Sequence, residues 1–113
     1  MSTRDPKLYL SEIIDAIEAI EEYTAGITED EFGRRRLIQD GVVRRIEIIG
    51  EAARQLPQEV KDQYANVPWI DIVGMRNRVI HEYFGGRIDR VWNAVQRDLP
   101  ELKAEARRIL SRL

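Results

Sequence analysis

Apolar side chains recur every three or four residues along almost the whole chain, which is the spacing of one face of an α-helix. Asp5 followed by Pro6 is typical of an N-cap with a proline in the first helical turn. Gly26 is typical of the end of a helix. The pattern predicts a first helix that ends near Tyr23. Its apolar stripe consists of Leu10, Ile13, Ile14, Ile17 and Ile20.

A second apolar stripe follows with no obvious break. Thr28 and Glu31 have the spacing of a capping box, and Pro57 ends the pattern. We therefore predict one long second helix of about 28 residues between Thr28 and Pro57. Its stripe consists of Ile38, Val42, Ile46, Ile49, Ala53 and Leu56.

Prolines and glycines divide the next part of the chain. Pro57 opens a short helical turn that reaches Tyr64, and Pro68 opens a longer helix over Trp69–Phe84. The pair Gly85-Gly86 is a helix stop and not a phosphate loop.

The last predicted helix contains a proline. Asp89 can cap its start, and Pro100 should kink or split it because proline lacks a backbone N–H and clashes with the preceding turn. No segment alternates apolar and polar residues as a strand does. Because 113 residues suit a single core, we predict an all-α fold, an up-and-down bundle of four to five helices forming one domain over residues 1–113.

Composition narrows the possible chemistry. The chain has no cysteine and a single histidine, His81, so disulfides, thiolate metal sites and sites with two imidazoles from one chain are excluded. We expect neither a metal nor another cofactor. The N-terminus lacks the layout of a signal peptide, and no apolar run reaches the roughly 18 residues of a membrane span. We therefore expect a cytoplasmic protein with no membrane contact.

The net charge of −2 hides an asymmetry. Residues 1–31 carry nine acidic and two basic side chains, a balance of −7, so the remainder carries +5. Arginine supplies 15 of the 18 basic side chains, and a guanidinium pairs with phosphate or carboxylate in bidentate geometry. The composition fits nucleic-acid binding, and it equally fits arginines that pair with the acidic first segment.

The candidate chemistry surrounds the histidine. Asn77 and His81 are four residues apart and share a helix face, and Arg76 and Tyr83, seven apart, share another. Arg76 and His81 diverge by about 140° on an ideal helix. They therefore converge on one ligand only if the helix is irregular, the arginine wraps round it, or a second subunit closes the gap.

Imidazole and guanidinium together suit phosphoryl chemistry. His81 can move protons near neutral pH, and Arg76 can stabilise a phosphoryl group that gains negative charge. RNA cleavage by its own 2′-hydroxyl needs such groups and no metal. One histidine is too few for a separate acid and base unless a two-fold dimer brings two copies together. Because a lone histidine is more often an ordinary surface residue, spacing alone leaves both interpretations open.

The segment from Arg76 to Tyr83, Arg-Asn-Arg-Val-Ile-His-Glu-Tyr, resembles the Arg-x4-His-x-Tyr signature of the HEPN superfamily in the form shown by HepT-like toxins. The similarity runs from the first helix to the last. Flanking segments that carry it are Ile48-Ile49-Gly50-Glu51-Ala52-Ala53, Pro68-Trp69, Gly74-Met75, Trp92 and Leu99-Pro100 with Leu102.

The resemblance implies a metal-independent endoribonuclease that acts on RNA as a toxin, usually a homodimer with its cleft at the dimer interface. It implies that Arg76 and His81 are the catalytic pair and that Asn77 orients the site. Tyr83 corresponds to the tyrosine that the cognate MNT antitoxin, a minimal nucleotidyltransferase, modifies with AMP. An added phosphate beside the cleft would repel an RNA backbone, so this modification would silence the toxin.

Other side chains are weaker candidates. Glu47 and Glu51 are four residues apart on the second helix, and either could hydrogen-bond to Arg76 or His81; we expect Glu51 to be the supporting residue. The arginine runs 34–36 and 44–45 could hold RNA phosphates, although a solvated or Glu-paired surface is the more usual role. Aromatic residues expected in the core or an interface are Trp69, Trp92, Tyr9 and Phe84.

An alternative function is a non-catalytic helical partner or regulatory subunit of a nucleotidyltransferase. A third is a plain dimeric scaffold. Cleavage of RNA by the isolated chain separates the ribonuclease from both.

Overall fold

The computed structural model describes residues 5–113, and the part of the N-terminus numbered 1–4 lies outside it. The described residues contain helices and no strand, which confirms the all-α prediction. The elements are α1 (Pro6–Thr24), α2 (Glu29–Gly33), α3 (Arg36–Gln55), α4 (Gln58–Gln63), α5 (Trp69–Phe84), α6 (Ile88–Asn93), a π-helical turn (Ala94–Asp98) and α7 (Leu99–Leu110).

Helix α1 begins and ends as its sequence predicts. The Asp5 carboxylate accepts a hydrogen bond from the backbone N–H of Lys7 at 2.9 Å, so Asp5 is the N-cap. Gly26 adopts a positive φ of 74° after the last turn, a conformation that favours glycine. The apolar stripe is buried against α3 and α7.

The prediction of one long second helix is wrong. The capping box at Thr28 forms, with its hydroxyl accepting from the N–H of Glu31 at 3.1 Å, but it starts only the short helix α2. Arg35 then leaves helical geometry (φ −116°, ψ 87°) before α3 begins. The break is stabilised because the side-chain amide of Gln39 donates to the Phe32 carbonyl at 2.8 Å. The Phe32 ring is fully buried against Trp92.

The end of the chain differs from its prediction in one detail. Asp89 does not cap a helix: α6 starts one residue before it, and the Asp89 carboxylate accepts hydrogen bonds from Arg87 at 3.1 and 3.0 Å. The chain turns at Gly86, where φ is 80°, directly into α6. The predicted interruption near Pro100 takes the form of the π-helical turn, in which the N–H of Leu99 donates to the Ala94 carbonyl.

Within residues 5–113 the bundle consists of α1, α3, α5 and the uninterrupted stretch from α6 to α7, and the short helices α2 and α4 complete it. Helix α3 packs between α1 and α5, α7 packs on α1, and α6 packs on α5. The core between them is aliphatic, with Leu10, Ile17, Ile46, Ile49 and Leu99 almost fully buried. This arrangement leaves one face of α5 uncovered. None of the helices in residues 5–113 is long and apolar enough to cross a membrane.

Candidate active site

Helix α5 brings three of the predicted site residues to one open depression. Arg76, Asn77 and His81 line it together with Ile80 and Phe84. These positions lie on the side of α5 that faces away from the core, and His81 is exposed there. Although Arg76 and His81 diverge on the helix, both border this depression because it spans a wide arc of the helix surface.

Two side chains hold the Arg76 guanidinium. Its Nη1 donates to the Asn77 carboxamide oxygen at 2.9 Å, and its Nη2 lies 3.5 Å from a Glu47 carboxylate oxygen on α3. Gly50 allows α3 to approach this closely, because a Cβ at Gly50 would lie 3.0 Å from the Cβ of Arg76. Asn77 and Glu47 therefore orient Arg76 toward the depression.

Glu51 makes its hydrogen bonds within its own helix. Its carboxylate accepts from Arg54 at 2.6 Å and from Gln55 at 2.7 Å. The Arg54 hydrogen bond is the main reason that the pKa of Glu51 falls to about 2, and the charge of Arg76 contributes only slightly. In this single chain Glu47, not Glu51, contacts Arg76; a supporting role for Glu51 stays a prediction.

Tyr83 points toward α3 and away from the depression. It is partly buried, and its hydroxyl donates a 2.5 Å hydrogen bond to the Asp40 carboxylate. That hydrogen bond raises the pKa of Tyr83 above its ordinary value, burial adds to the effect, and Arg36 opposes it. Asp40 was not predicted as a site residue, because nothing in the local sequence signals a contact between residues 43 positions apart.

Most other candidate arginines pair with acidic side chains. Ion pairs occur at Arg34–Asp30 (3.8 Å), Arg35–Glu31 (3.7 Å) and Arg44–Glu47 (4.0 Å), which favours the Glu-paired interpretation of the arginine runs. The acidic first helix also pairs with α7, through Glu21–Lys103 at 2.7 Å and Glu18–Arg107 at 2.6 Å. Within residues 5–113, no three potential metal-binding His, Asp or Glu side chains cluster.

The aromatic residues divide between core and surface. Trp69 is buried and donates its indole N–H to the Tyr64 carbonyl at 3.1 Å, and Tyr9 is also buried. Trp92 packs against Phe32. Phe84 is 82% exposed at the edge of the depression, and Ile70 on the same helix is 88% exposed. Phe84 and Ile70 are therefore surface residues of α5, 14 positions apart, and not part of the core.

Comparison with known proteins identifies the family. The model of the family described as ribonuclease HepT-like matches residues 13–109. The chain is 39% identical over 102 residues to a "Probable ribonuclease HepT" of Thermococcus cleftensis, covering 90% of this chain and 93% of the relative. It is 44% identical over 110 residues to the "Gamma-glutamylcyclotransferase and putative RNase" of Methanocaldococcus jannaschii, covering 97% of this chain but only 50% of that relative. No solved structure matches the chain significantly. The chain belongs to the ribonuclease HepT-like family.

Proposed function

We propose that this chain is the toxin of a HEPN/MNT-type toxin-antitoxin system and a metal-independent endoribonuclease. Membership of the HepT-like family supports ribonuclease activity. The observation that carries the proposal is that Arg76, Asn77 and His81 border one open depression on α5. An imidazole and a held guanidinium at an accessible surface are the groups that phosphodiester cleavage requires.

The proposed reaction is attack of the RNA 2′-oxygen on the adjacent phosphorus. The bond from phosphorus to the 5′-oxygen breaks, leaving a 2′,3′-cyclic phosphate on one fragment and a 5′-hydroxyl on the other. His81 takes the proton of the 2′-hydroxyl or supplies one to the leaving 5′-oxygen. Arg76 stabilises the pentacovalent transition state, in which negative charge on the phosphoryl oxygens increases.

A homodimer would complete this site. One imidazole would have to act as both base and acid, whereas a two-fold axis near α5 would bring two His81 side chains into one cleft. The uncovered face of α5 supports such a contact, because Ile70 and Phe84 are exposed on either side of the histidine. Gly74 between them offers no side chain and leaves open space for close approach.

The test is incubation of the purified chain with total cellular RNA in the presence and absence of a metal chelator. We expect cleavage in both conditions and 2′,3′-cyclic phosphate ends on the products. Cleavage that the chelator abolishes would contradict the metal-independent mechanism. If the isolated chain does not cleave RNA but binds a nucleotidyltransferase tightly, the alternative function as its non-catalytic partner is correct.

Tyr83 is the proposed site of AMP addition by the cognate MNT antitoxin. Its hydroxyl is held by Asp40 outside the depression that contains His81. Tyr83→Phe should therefore prevent modification and leave RNA cleavage by the isolated chain unchanged. The measurement is the intact mass of the chain after co-expression with an MNT nucleotidyltransferase. An adenylylated Tyr83→Phe variant would show that another residue accepts the AMP.

A further inference from the structure

A second depression lies beside the candidate active site, between α5 and the stretch formed by α6 and the π-helical turn. Three guanidinium groups line it, together with one amide and two carboxylates. The residues are Arg78, Arg90 and Arg97, with Asn93, Glu82 and Asp98. We call this surface the arginine depression.

The guanidinium groups of the arginine depression are only partly neutralised by its carboxylates. Arg78 lies 3.5 Å from Asp98 and Arg90 lies 4.0 Å from Glu82, so both pairs are long, and both arginines are about half exposed. Arg97 has no carboxylate within ion-pair distance in residues 5–113. Because each guanidinium carries five N–H donors, these contacts leave most donors free. The surplus of one positive charge suits a single phosphodiester group.

The arginine depression and His81 are neighbours along the surface of α5. Arg78 precedes His81 by three residues on α5, and residues three apart are neighbours on a helix surface. Arg78 lines the arginine depression, so this depression lies about one helical turn from His81 along α5. An RNA strand whose scissile phosphate lies at His81 would pass over Arg78 toward Arg97.

We infer that the arginine depression binds a backbone phosphate of the RNA substrate next to the scissile phosphate. This inference rests on the proposed ribonuclease function. The planar guanidinium groups would form bidentate hydrogen bonds to phosphate oxygens and would hold the strand in register without reading its bases. Arg97 would be the main contact to the phosphate, because it does not have to break an ion pair in order to bind it.

The first test is Arg97→Ala, with Arg112→Ala, two residues after the end of α7, as a matched control. Cleavage rates are measured over a range of total cellular RNA concentrations, at low and moderate salt. Loss of a charged hydrogen bond to phosphate should raise KM roughly tenfold with little change in kcat. The slope of log KM against log salt concentration should also decrease by about one, the amount expected for the loss of one phosphate contact. Arg112→Ala should match the parent.

The second test is a gain of binding from Asp98→Asn. This substitution removes a carboxylate that competes for Arg78 and would repel a phosphate, so KM should fall below that of the parent. A merely structural role of these residues predicts no such gain. If the parent cleaves RNA and both variants keep its KM and salt dependence, the arginine depression is not a phosphate site. If the parent itself does not cleave RNA, the proposed function fails first and this inference fails with it.

Discussion

His81→Ala should lower the rate constant for RNA cleavage by a factor of about 10²–10⁴, the contribution expected of a general acid or base. Arg76→Ala should lower it by about 10²–10³, the typical cost of losing one group that stabilises transition-state charge. Both side chains are exposed, so neither loss should change the free energy of unfolding by more than about 0.5 kcal/mol. The measurements are single-turnover cleavage of cellular RNA and thermal unfolding of each variant.

Arg34→Ala is the matched control for these substitutions. Arg34 is an exposed arginine that pairs with Asp30 at 3.8 Å, outside the residues that line the depression. It should cleave RNA as the parent does. Parent-like cleavage by the folded His81→Ala and Arg76→Ala variants would show that this pair is not catalytic.

The same His81→Ala variant tests whether two chains share one cleft. After subunit exchange with an equal amount of variant, half of the parent chains would have a variant partner. If the cleft needs both imidazoles, the cleavage rate at a fixed amount of parent should fall to about half. An unchanged rate would mean that each His81 acts alone.

Local signals in the sequence were sufficient where a helix boundary depends on neighbouring residues. Asp5 caps α1, and Pro68 and Gly85 delimit α5 as predicted. The break between α2 and α3 could not be predicted in this way. It depends on the amide of Gln39 reaching back to the Phe32 carbonyl, and on a Phe32 ring that packs against a residue 60 positions further along the chain.

In the candidate site, too, features set by neighbouring residues were predictable and contacts between distant residues were not. The residues of α5 were identifiable because they are close together in one segment and carry the signature. Their partners on α3 were not, because the contact of Arg76 with Glu47 depends on how deeply α3 packs against α5 at Gly50. Helix periodicity placed Glu47 and Glu51 on one face of α3, but it does not determine which of these two turns of α3 packs beside Arg76. Asp40 was missed for the same reason.

Phe32→Ala should destabilise the fold more than any of the substitutions discussed above. The ring is fully buried, and its loss would leave a cavity beside Trp92, 5.2 Å away between ring centroids. Substitutions of this kind cost about 3–5 kcal/mol, which for a domain of this size corresponds to a decrease in Tm of about 10–20 °C. The measurement is denaturant unfolding at a fixed chain concentration, so that any dimerisation affects parent and variant alike.

Leu37→Ala is the matched control for Phe32→Ala. Leu37 lies in the first turn of α3, five residues after Phe32, but its side chain is 85% exposed. If only helix propensity mattered at these two positions, both substitutions to alanine would be mild. Because the break instead holds Phe32 in the core, only Phe32→Ala should be costly, and Leu37→Ala should stay within about 0.5 kcal/mol of the parent. Equal effects of the two substitutions would contradict the anchoring role of Phe32.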